Sequence, residues 1–322
     1  MKKAFTLIEL LMVIAIIAII TTLAVVKVGD VREASARKIS LANQAAVERG
    51  VSAFLMAGGR LNRLDSLIYA GEGGAPIFGT SNGFDFDHPS TAEQADGLYL
   101  GPKDDYLSRE ELNGGLTPGL VKVLCRYTLK QPEVYALSTR LGLKYVMAHT
   151  AYADLEATST PAQHYPRVRA YGDGAVVEGT DGVTPNFSAL VATTVTNGMT
   201  VAAINPKTKA GRAIYRACGQ ELIDTKDNES EYTEDEVRAD VARTGGVLLA
   251  FGLGDYASVV GAANAGLESA PFAAYPLKKF YSRYILLIRL RTAGSTLLPE
   301  FAGVIDCCGA TARDARLLIE KL

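Results

Sequence analysis

Residues 10–26 carry no charge, and the apolar stretch around them runs from Phe5 to Val28 with a single acid, Glu9, at its head. As a helix rising about 1.5 Å per residue, residues 5–28 are long enough to cross a hydrocarbon core of roughly 30 Å. Lys2 and Lys3 precede the stretch, and basic residues stay on the cytoplasmic side, which puts everything after Lys27 outside the cytoplasm. A cleaved secretory signal shares the basic start and the apolar middle. Glu9 argues against that reading, because an acid at the head of the segment weakens insertion, and no small-x-small cleavage site precedes a polar mature start after Val28.

No charge-driven partner is implied by the rest of the chain. Its 33 Lys and Arg against 35 Asp and Glu leave a formal charge of −2, without the basic excess that nucleic acid or an anionic lipid surface attracts. At 322 residues, with 31 Gly and 12 Pro, the chain beyond the apolar segment reads as globular and rich in turns.

The helix is expected to continue past the membrane segment. Val28, Val31, Ser35, Ile39, Ala42, Ala46, Gly50 and Ala53 recur at spacings of three or four and form a small, apolar face, while Lys27, Asp30, Arg32, Glu33, Arg37, Lys38, Glu48 and Arg49 occupy much of the remainder. No proline interrupts the chain before Pro76. A helix from Phe5 to about Met56 is roughly 80 Å long, with Gly58-Gly59 as its stop and its second half packed on a head.

The run Lys3-Ala4-Phe5-Thr6-Leu7-Ile8-Glu9-Leu10-Leu11 resembles the leader and mature start of type IV prepilins and type II secretion pseudopilins. The resemblance implies a leader of residues 1–4, cleaved between Ala4 and Phe5 by a prepilin peptidase that also methylates the new amino group. In that family the residue before the cut is usually Gly, and Ala4 departs from it. The resemblance further implies a precursor held once through the inner membrane with its head outside the cytoplasm. An assembly platform and its ATPase would then draw the subunit into a homo- or hetero-filament, an extracellular pilus or a periplasmic pseudopilus. It also gives Glu9 a use: an ionised acid in lipid is tolerable mainly when paired, and the amino group of Phe5 on a neighbouring subunit is the natural partner. A Glu that merely sits protonated near the headgroups is the plainer alternative.

Four segments follow: residues 1–4 as leader, 5–28 as the membrane and assembly half of the helix, 29–57 as its amphipathic half, and 58–322 as an α+β head with an antiparallel sheet. Within the head, residues 71–105 read as loop, and Ser108 to Glu111 as a capping box that opens a helix continued by residues 118–130. Residues 189–196 and 199–204, joined by Asn197-Gly198, read as a hairpin. Thr233 to Glu236 caps a further helix, residues 246–252 and 281–291 read as strands, the latter alternating, and Thr311 to Asp314 caps a last helix over 312–321.

Cys125, Cys218, Cys307 and Cys308 fall in the exported part, where disulfides are permitted, and at least one is expected to form. Adjacent cysteines seldom bond because the closed ring strains the peptide between them, which favours Cys125 with Cys218, or a distant partner for Cys307 or Cys308. Buried free thiols are the alternative. The absence of a C-x-x-C pair leaves a zinc ribbon unsupported.

Chemical motifs are weak. Gly79-Thr80-Ser81-Asn82-Gly83 matches a nucleophile elbow, but Phe-Asp-Phe-Asp-His-Pro is a poor helix start. Asp85, Asp87 and His88 offer metal ligands in what reads as a solvated loop. Gly252-Leu-Gly254-Asp-Tyr-Ala257 matches part of a dinucleotide fingerprint without its βαβ setting. The acidic run Asp224 to Glu236 has Lys226 where a calcium loop needs an oxygen. No cofactor, no metal and no catalytic activity are expected. The chain reads as a structural filament subunit, and the second reading is a pilin-like anchor carrying a periplasmic binding or enzymatic head.

Overall fold

The computed structural model describes residues 40, 42–67, 70–72, 83–85, 120, 123–151, 176–178, 185–187, 190–223, 226, 231–254, 256–261, 266–271, 273, 283–294 and 296–312. The apolar segment, the Ser108–Glu111 box and the helix expected after Thr311 to Asp314, apart from residues 311 and 312, lie outside them.

Helix α1 (residues 42–56) ends where the glycines were expected to stop it. Gly58 takes φ +82°, and the N–H groups of Gly58 and Gly59 return to the carbonyls of Leu55 and Phe54. The face that α1 buries is not the small-residue face of the sequence pattern. Gln44, Val47 and Val51 are buried, with Phe54 and Leu55 against the core, whereas Ala42, Ala46 and Ala53 are exposed. The head offers α1 the unpaired peptide groups of a strand edge, and a helix face with a polar reach meets that need better than a row of alanines.

The strands are β1 (Arg63–Asp65), β2 (Ala70–Glu72), β3 (Gly83–Asp85), β4 (Leu124–Thr128), β5 (Tyr145–Ala151), β6 (Val176–Glu178), β7 (Pro185–Phe187), β8 (Leu190–Thr194), β9 (Thr200–Ile204), β10 (Val247–Gly252), β11 (Ile285–Ala293) and β12 (Thr296–Ile305). Between them come α2 (Gln131–Ala136), which widens into a π-turn over Leu137–Leu141, α3 (Lys209–Ala217) and α4 (Glu234–Thr244). One sheet takes ten strands, and β6 with β7 forms a separate ribbon. Strands β12, β11, β10, β9, β4 and β3 follow one another in antiparallel order. β1 joins the end of β10 through Asp65 and Gly252 and carries β5, whose opposite edge takes β8.

The head is α+β, but its sheet is mixed rather than antiparallel, since β1 and β2 both run parallel to β5. Parallel neighbours need a long crossover, which the chain between Asp65 and Tyr145 supplies. Residues 118–130, read as helix, hold β4: all five of its residues pair with β9, and Gly83–Asp85 flank its other side. Four of the five are buried, so tertiary pairing overrides the local helical pattern. Asn197-Gly198 does turn, with Gly198 at φ +83°, yet β8 and β9 are not partners. Val195 N–H bonds to Lys144 O and Gly198 N–H to Leu129 O, so the two arms part and join different neighbours. β11 buries both faces over residues 285–288 and is exposed only at 291–293, the pattern of a central strand rather than an alternating one.

The core lies against this sheet. β9 and β10 are buried at every position, and the register rows Leu249 with Ala203 and Leu249 with Ile288 carry the contacts across. Thr233 caps α4 in a reciprocal box with Glu236, as the sequence suggested.

Candidate processing and assembly site

Ala4, Phe5 and Glu9 lie outside the described residues. The structure shows how α1 is gripped by the head. Gln44, spaced four residues from Ser40 and from Glu48, faces β12. Its Nε2 donates to Val304 O at 2.6 Å, and Glu48 Oε1 accepts from Val304 N–H at 3.4 Å, so both peptide groups of one edge residue end on α1. Ser40 Oγ donates to Ala273 O, and Tyr284 OH donates to Ser40 O at 2.7 Å. Burial pushes the Tyr284 phenol up to about 12, against the pull of its bond to Ser40, so it stays a donor throughout the physiological range. Each of these bonds fixes the rotation of α1 about its axis, and together they leave the Ala42, Ala46 and Ala53 stripe pointing away from the head.

The four cysteines are free thiols in this structure, so the expected disulfide is not formed there. Cys125 is buried in β4, where its cross-strand neighbour is Ala203. Cys218 forms the C-cap of α3, and a Cβ added at Gly303 would meet its sulfur at 3.7 Å and Glu48 Oε1 at 3.8 Å. Burial raises the Cys218 thiol to about 11, against the nearby Arg289 guanidinium. Cys307 is buried and Cys308 exposed just past β12.

The other sequence candidates do not converge. Ser81, Asp87 and His88 lie outside the described residues, and Asp85 ends the short edge strand β3. Gly252 closes β10, but the chain then makes turns rather than a helix, so the fingerprint has no phosphate-binding helix end. In the acidic run, Lys226 Nζ binds Glu236 at 2.8 Å and Glu231 O at 2.7 Å, which puts an ammonium where a cation would sit. That bond, helped by those from Thr233, holds the Glu236 carboxyl down at about 2. No cluster of three or more His, Cys, Asp or Glu suited to a metal occurs among the described residues.

Sequence reasoning missed the Arg212 network. Arg212, buried and stacked 3.9 Å over the Tyr232 ring, bonds Asp240 at 3.3 Å and Ile223 O. Asp240 also takes Arg243 at 2.6 Å and Ile223 N–H at 2.7 Å. A cleft of about 290 Å³ opens beside it. Its charges are paired within the protein, Lys226 with Glu236 and Asp240 with Arg212 and Arg243, while Arg212 Nε is left without a hydrogen-bond partner. The network ties α3 to α4, and the only signal for it was an Arg within an otherwise amphipathic helix.

Residues 1–25 match the family model described as the prokaryotic N-terminal methylation motif. The chain carries the prepilin signature of type IV pilins and pseudopilins. The prepilin-type start covers Ala4, Phe5 and Glu9, and it implies the prepilin peptidase and assembly machinery of that system in general. It also suggests a membrane-anchored precursor, although no helix among the described residues is long and apolar enough to cross a membrane. No curated protein and no solved structure matches the chain.

Proposed function

We propose that this chain is a structural subunit of a type IV pilus or a type II secretion pseudopilus-like filament, assembled through its N-terminal hydrophobic helix. The observation that carries the reading is the methylation motif over residues 1–25. The outward Ala42, Ala46 and Ala53 stripe supports it, because small side chains let a neighbouring helix approach closely without leaving large apolar surface in water before assembly. In this reading the prepilin peptidase cuts between Ala4 and Phe5 and methylates Phe5, and the head stands outside the cytoplasm. Nothing in the chain needs to react after processing.

The test is mass spectrometry of the mature N-terminus in sheared cell-surface or periplasmic filaments. The expected species starts at N-methylated Phe5, and the loss of Lys2 and Lys3 takes the formal charge from −2 to −4. An intact Met1 in assembled filaments overturns the reading, as does finding the processed chain only as monomers.

A further inference from the structure

Asp306 organises the turn that follows β12. Its Oδ1 accepts from the N–H groups of Cys308 and Ala310, both at 2.8 Å. Its carbonyl accepts from Gly309 N–H at 3.0 Å, and its own N–H donates to Ala310 O at 3.0 Å. Gly309 completes the turn at φ +80°. With the backbone fixed at both ends, Cys307 and Cys308 sit side by side in the turn, and the neighbouring thiol raises that of Cys307. One is fully buried and the other exposed, so a single sulfur meets solvent and the second lies behind it.

We propose that Cys307 and Cys308 are a redox pair that closes reversibly to a vicinal disulfide by exchange with a disulfide oxidant. The exported location read above supplies only the compartment in which such oxidants act. The exposed Cys308 thiolate attacks one sulfur of the oxidant disulfide, forming a mixed disulfide and expelling one thiolate. Cys307 passes its proton to that thiolate, and its sulfur attacks Cys308 sulfur, breaking the mixed disulfide and releasing the second oxidant thiolate, which takes a proton from water. Two protein thiols are oxidised, one oxidant disulfide is reduced to two thiols, and the electrons balance.

The order follows from the site. The Cys308 thiol beside it and then burial raise the Cys307 thiol, and Cys308 is the sulfur that faces solvent, so Cys308 is the one that meets the oxidant first. The product is strained, because neighbouring Cα atoms lie about 3.8 Å apart and disulfides ordinarily span about 4.4 to 6.8 Å. A strained bond is more easily reduced, which makes this couple labile rather than structural.

The test uses the purified full-length chain in detergent, equilibrated with oxidised glutathione, trapped with acid and alkylated. Trypsin releases residues 292–313 as one peptide, in which Cys307 and Cys308 are the only cysteines. The expected result is that peptide two hydrogens lighter and unalkylated, returning to the doubly alkylated form in reduced glutathione. Cys308→Ala should leave Cys307 alkylated only after denaturation, and Cys307→Ser should leave Cys308 as a glutathione adduct. Double alkylation of the wild-type peptide at every glutathione ratio overturns the proposal, as does a crosslink from it to the Cys125 or Cys218 peptide. The readout is independent of filament assembly, so it stands or falls separately from the function proposed above.

Discussion

Glu9 is the residue whose placement asks most of the chain, and its proposed use is quantitative. An ion pair at about 4 Å is worth several kcal/mol at an effective dielectric near 20, but at most about 1 kcal/mol in the open water of a surface. Glu9→Gln keeps size and polarity, removes the attraction to a neighbouring Phe5 ammonium and leaves that ammonium unpaired among apolar side chains. Filament yield should collapse at unchanged membrane levels of subunit, and Glu9→Asp, which keeps the charge with a shorter reach, should fall between. Wild-type yield from Glu9→Gln would reduce the acid to a bystander. Glu133 is a buried carboxylate with a role confined to the fold: it accepts from Tyr127 OH at 2.6 Å and from Lys130 N–H at 2.8 Å. Burial, outweighing those bonds, raises its pKa above the ordinary 4.5. A raised folded value means its contribution to stability is complete below about pH 4.5 and is lost as pH climbs through the folded value. Denaturant titrations of Glu133→Gln should therefore give a flatter stability profile above pH 4.5 than wild type. Parallel profiles would show that the carboxyl does not set the slope.

At the level of elements, what was legible depended on whether the signal was local. The α1 stop and the α4 capping box were read correctly because each is written within a few residues, in Gly58 and in Thr233 with Glu236. β4 was misread because what makes it a strand is the ladder of Leu124–Thr128 on β9, contributed by residues far away in sequence. The same holds for Asn197-Gly198, where the turn was legible and the choice of partners was not. Gly246 shows how closely elements meet. It sits at φ +102°, and a Cβ there would stand 1.8 Å from Leu290 O on the neighbouring β11. Gly58, at φ +82°, has no atom within 4 Å of that position. Gly58→Ala should cost about 1 kcal/mol, the conformational term alone, and Gly246→Ala at least about 2 kcal/mol more, since backbone must move. Equal shifts in denaturation midpoint would show that the β10–β11 contact yields without cost.

For the molecule as a whole, the α+β class and the helix-on-head plan could be read from the pattern of residues, whereas the rotation of α1 could not. The apolar stripe Ala42, Ala46 and Ala53 was visible, but nothing in the sequence said that Val304 would present both its peptide groups to Gln44 and Glu48. In the filament proposed above, that arrangement bears on how crowded heads stay distinct. β12 pairs only with β11 among the described strands, and a long bare margin of this kind invites a second chain to continue the sheet. Here Val304 is occupied by the helix, and Pro299 brings no N–H to offer. A stranger's strand therefore finds the margin interrupted at two points, and crowded heads are kept from zipping together into an unregulated aggregate.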